Sequence, residues 1–107
     1  MDKIVWLSLL YDFYAVLLTE KQRFFYELYH LNDLSLNEIA EEQNISPQAV
    51  RDLLKRTEKI LNNYEQKLKL IEKFGSQKQN IALMSIYIEE NLDAKQSLHL
   101  KNMLQNL

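Results

Sequence analysis

An all-α fold is what this chain of 107 residues predicts, and three observations predict it. The first is turn chemistry: one Gly and one Pro cannot supply the tight connections that several strands would need. Leu, Lys, Glu and Gln dominate instead, and these are helix formers. The second is periodicity, with apolar residues recurring at three- and four-residue spacing along most of the chain. The third is a series of Ser, Thr and Asp residues standing where helices would start. At 47% hydrophobic and this length, the chain supports one core and one helical domain, 1–107.

Each element follows from local signals. Ile4, Leu7, Leu10, Tyr11 and Tyr14 mark the inward face of a first helix over about 3–16. Thr19 and Gln22 form a capping box that opens a second helix to about 31, with Phe25, Leu28 and Tyr29 inward. Asn32 and Asp33 make a turn, and Ser35 with Glu38 caps a short third helix over about 36–43, burying Leu36, Ile39 and Ala40. Asn44 suits the left-handed residue that ends such a helix. Ser46-Pro47 then starts a fourth, with Ile45 placed to staple onto Val50. No stop signal precedes Gly75, so this fourth helix runs about 28 residues and about 42 Å. Its apolar stripe comprises Ala49, Val50, Leu53, Leu54, Thr57, Ile60, Leu61, Tyr64, Leu68 and Ile71. Beyond Gly75 and Ser76, a fifth helix carries Ile81, Met84, Ile88 and Leu92. Asp93 with Gln96 then caps a sixth that carries Leu100, Met103, Leu104 and Leu107, so residues 76–107 form a helical hairpin.

Several function classes fall away. A lone Gly cannot build a phosphate-cradling loop, and the absence of Cys removes thiolate metal sites and cysteine nucleophiles. His30 and His99 lie far apart in sequence with no second His at ligand spacing, so no metal, no cofactor and no enzymatic activity are expected. The apolar run 4–18 is interrupted by Asp12 and is shorter than the ~20 residues of a bilayer crossing. A cytoplasmic protein without membrane insertion is expected.

Net charge is −2, unevenly spread: residues 1–45 hold three basic and eight acidic side chains, residues 46–74 seven and four, residues 75–107 three of each. The positive segment coincides with a helix-turn-helix pattern. Within a core spanning about 17–62, Ala40 is small where two helices must touch, Asn44 takes the turn and Ile45 plugs the corner. Val50 and Leu53 pack the second helix onto the first. On that second helix Gln48 and Arg51 are candidates for reading bases, and Lys55, Arg56 and Lys59 for holding phosphates. Asp52 and Glu58 on the same face oppose that field.

The segments Leu18-Thr19-Glu20-Lys21-Gln22-Arg23, Leu34 to Glu41, Ser46-Pro47-Gln48-Ala49-Val50 and Lys55-Arg56-Thr57-Glu58-Lys59 resemble the YlxM family of small bacterial proteins, over about residues 1–75. That family is similar to region 4 of the sigma-70 factors. The resemblance implies a helix-turn-helix protein that binds double-stranded DNA and is encoded beside the signal recognition particle GTPase. It also implies a regulatory or accessory role in that pathway, in which the scaffold serves either DNA or protein and RNA contacts. From the residues themselves, the overlong stripe of the fourth helix predicts a homodimer. Eight of eleven aromatics lie in the first 30 residues, and this surplus serves either the core or self-association.

Overall fold

The computed structural model describes residues 2–106, which hold six α-helices and no strand. In order they are α1 (Lys3–Tyr14), α2 (Glu20–His30), α3 (Leu36–Gln43), α4 (Pro47–Leu68), α5 (Leu70–Asn91) and α6 (Ala94–Gln105), with a 3-10 turn at Ala15–Leu17. The two capping boxes are in place. Thr19 and Ser35 each accept the N–H of the residue three ahead, Gln22 and Glu38, whose side chains accept the cap N–H in return. Ser46 accepts from Ala49 and Asp93 from Gln96 in the same way. Each such cap satisfies donors that a helix start leaves open.

The chain divides into two compact units, Met1–Ile71 and Glu72–Leu107. In the first, α4 threads two clusters. Its start contributes Val50 and Leu54 to a core with Phe25, Leu28, Ile39 and Ala40. Further along, Leu61 joins Leu7, Leu10, Tyr14, Leu18 and Tyr26, with Trp6, Tyr11, Phe13, Ile60, Tyr64 and Ile71 packed around them. Most of the α4 stripe, from Val50 to Tyr64, is thereby covered within this unit, and most of the N-terminal aromatics are used there too. Tyr11 stacks on Tyr26 at 4.9 Å between centroids, and the Trp6 Nε1 donates to Asn62. The stripe and the aromatic surplus thus give no cause for a second copy.

The fourth helix does not reach Gly75. It ends at Leu68 because Lys69 adopts the left-handed conformation, φ 55° and ψ 34°, and donates its N–H to the Glu65 carbonyl. Two side chains hold the break open. The buried Tyr14 hydroxyl accepts the Leu70 N–H and donates to the Glu65 carboxylate, which also accepts the Ile71 N–H. The first N–H groups of α5 are satisfied by partners outside the helix, and so a new helix can begin one residue after the old one ends. Gly75 and Ser76 lie inside α5, not between helices.

Other inward assignments shift. Tyr26, not Tyr29, completes the buried face of α2, and Ile4 is 75% exposed. Leu36 is half-buried, and Ala49 and Leu68 lie outside the covered part of the α4 stripe. Ile45 is 38% exposed, so its side chain is covered only in part at the corner, where its backbone N–H donates to the Ala40 carbonyl at 3.0 Å.

In the second unit, a turn at Leu92-Asp93 reverses the chain between α5 and α6, and Lys101 pairs with Glu89. Among its described residues, Ile88, Ser97 and Leu104 are the buried ones; Met84 and Met103 are exposed, against expectation. Leu107 lies outside the described residues.

Candidate nucleic-acid interface

The corner between α3 and α4 is built from a left-handed stop and a proline start. Asn44, at φ 57° and ψ 45°, ends α3, and residues 44–46 separate it from Pro47. A turn this short brings the helices into contact close to the corner, where Ala40 is 4% and Val50 0% exposed. A larger side chain at Ala40 would push α4 off α3. Leu53 is half-buried beside them. The buried Thr57 donates to its own helix at the Leu53 carbonyl and leaves no unsatisfied hydroxyl inside.

The opposite side of α4 faces water. Gln48, Arg51, Lys55 and Lys59 are all exposed, and at 100° per residue they share one stripe about 80° wide, under a quarter of the helix. Arg56 is also exposed but lies about 100° round from Lys55, on the flank. The structure therefore brings four of the five candidates together and sets Arg56 apart.

Two neighbouring carboxylates are partly occupied. Glu58 makes an ion pair with Lys3 at 3.5 Å, and Asp52 accepts a hydrogen bond from the Gln48 amide at 2.9 Å. Lys3 was not among the sequence candidates, because it stands 55 positions before Glu58 and only the packing of α1 along α4 joins them. The pair offsets the charge of Glu58 on this face, while the Gln48 amide is held by its own helix.

Two clefts border the stripe. The smaller, about 380 Å³, lies between the starts of α3 and α4, with Ser35, Asn37, Gln48 and Arg51 around it. Asn37 is a polar side chain beside the base-reading candidates that periodicity could not single out. The larger, about 520 Å³, is lined by Lys3, Tyr29, His30, Arg51, Lys55 and Glu58, among others. His30 ends α2 with its ring 4.3 Å from that of Tyr26. Burial pushes the pKa of its imidazole down, which disfavours the charged form in the cleft. Among the described residues there is no cluster of three or more His, Asp or Glu side chains able to hold a metal ion, and no helix long and apolar enough to cross a membrane.

Comparison with known proteins agrees with this architecture. The chain is 51% identical over 82 residues to a UPF0122 protein of Shouchella clausii (strain KSM-K16), an alignment covering 77% of this chain and 75% of the relative. It is 48% identical over 90 residues to UPF0122 proteins of Bacillus cereus (strain AH187) and Bacillus anthracis (strain A0248), covering 84% of this chain and 82% of each relative. A family model described as "Putative helix-turn-helix protein, YlxM / p13 like" matches residues 1–104, and with it the chain belongs to the UPF0122 family.

Proposed function

We propose that this protein is a regulatory factor that binds duplex DNA, with α4 as the helix that enters the major groove. The observation that carries this reading is the exposed stripe Gln48, Arg51, Lys55 and Lys59 on the second helix of a closed helix-turn-helix corner. In this mode Arg51 and Gln48 face base edges, while Lys55, Lys59 and the flanking Arg56 reach phosphates. Asn37 at the start of α3 adds a polar contact beside them.

Three phosphate contacts give a salt slope of about −2.7, so raising salt from about 50 to 200 mM weakens binding roughly 40-fold. Titration of a labelled duplex at the two salt concentrations tests this. The double variant Arg51→Glu, Lys55→Glu, altered only at exposed positions, is expected to lose most low-salt binding. Equal binding by both proteins, or none by the wild type at low salt, overturns the reading.

A second reading is favoured by the Gln48–Asp52 hydrogen bond and by the exposed Glu38, Glu41 and Glu42 on α3, which withhold an amide and repel phosphate. It keeps the same fold as an accessory protein of the signal recognition particle pathway, with protein or RNA contacts in place of DNA. Failure to bind duplex at low salt, with nuclease-sensitive recovery of an RNA partner from a native lysate, would favour it.

A further inference from the structure

We infer that the uncharged face of α5 is a homodimer surface, on which the 72–107 hairpin of one chain packs against that of a second copy to form a four-helix bundle. This goes beyond the DNA-binding reading and does not depend on it.

The argument starts from an incomplete core. The unit 72–107 falls under the ~40 residues below which disulfides, metals or association are usually needed for an independent fold. The chain has no Cys, and no metal-ligating cluster occurs among the described residues. Association is the device left. The exposures agree: Leu83 65%, Met84 49%, Ile86 53% and Tyr87 65% on α5, and Leu98 62% and Met103 55% on α6. Six large side chains with about half or more of their surface in water amount to several hundred Å² per copy. That exceeds ordinary scattered surface apolarity and approaches the ~800 Å² per partner of a standard interface.

The chemistry of the face selects a second copy as the occupant. A two-fold contact places each residue near its own counterpart, so a charged face would repel itself. Residues 79–88 contain no ionisable side chain except the Tyr87 phenol; beyond this stretch Lys101 pairs with Glu89, and Glu90, seven residues after Leu83, marks the end of the uncharged part of the ridge. Leu83 and Tyr87 are one helical turn apart and stack into a single ridge, the spacing that helices in a bundle interdigitate. Two helices per chain make half of a four-helix bundle, and two-fold symmetry supplies the other half.

Sedimentation equilibrium from about 5 to 200 µM tests the surface. The wild type is expected at twice the 12.8 kDa chain mass. The double variant Leu83→Glu, Tyr87→Glu is expected to dissociate at least roughly 100-fold more readily. Its far-UV circular dichroism should keep the signal of the 1–71 helices. A control, Val16→Glu, changes a still more exposed apolar residue of the other unit and is expected to remain dimeric. A wild type that is monomeric throughout this range overturns the proposal and leaves the face to a different partner. A dimer that survives the α5 variant, or that only Val16→Glu dissociates, overturns it as well.

Discussion

Tyr14 is wholly buried, and its hydroxyl ties the end of α4 to the first residue of α5 by donating to Glu65 and accepting from Leu70. The donation to Glu65 needs the phenol protonated, whereas the acceptance from Leu70 does not. Burial first, and then the hydrogen bond to the Glu65 carboxylate, push its pKa up. The same causes act on Tyr11, which donates to Glu27 and is pushed up to about 12, and burial chiefly raises Tyr26. In the unfolded chain all three titrate near 10, so the native state retains protons that the unfolded state releases. Their contribution to stability is therefore complete below pH 10 and is lost as pH rises from 10 through the native values. Helicity is expected to hold to about pH 10 and then fall, with tyrosinate absorbance rising in the same transition. Tyrosinate formed near pH 10 by these residues in a fully helical protein would contradict this. Tyr14→Phe should cost about 1–3 kcal/mol at neutral pH, because a buried carboxylate loses a donor.

Among the elements, α5 is the one whose start and interior run against local signals. Gly75 sits in its sixth position with no positive φ and no atom within 4 Å of where a Cβ would stand. Nothing in the fold uses its conformational freedom, and a helix-interior glycine costs roughly 0.5–1 kcal/mol relative to alanine. Gly75→Ala is accordingly expected to raise stability by about that amount in denaturant titrations. A loss of stability would mean that Gly75 is the left-handed stop that its sequence position suggests. The residue in that conformation is Lys69, which pays a steric penalty glycine would not.

Across the whole molecule, both hydrophobic clusters draw their residues from positions no later than Ile71. α4 is their common member, so the helix that presents the candidate DNA contacts is anchored at its start by the helix-turn-helix core and farther along by α1. A fragment of residues 1–71 is therefore expected to keep a cooperative thermal melt and the salt-sensitive duplex binding of the full chain. A broad, sloping melt from this fragment would show that the two clusters need residues 72–107 to hold together.

Sequence alone determined the features whose causes lie within a few residues of each other. The caps at Thr19, Ser35, Ser46 and Asp93 work through hydrogen bonds to a residue three ahead, and so their signatures are visible as spacing. The left-handed stop at Asn44 and the small residue at Ala40 were legible on the same ground, and with them the helix-turn-helix corner and its basic exposed helix. Tertiary structure decided what depends on distant partners. Lys69 carries no stop signal of its own; α4 ends there because Tyr14, 56 positions before Leu70, satisfies the first N–H of the next helix. Lys3 joins the candidate interface for the same reason, since its pairing with Glu58 exists only once α1 lies along α4. Short-range hydrogen bonding writes itself into the order of residues, whereas a long-range partner becomes available only when packing has brought its helix alongside.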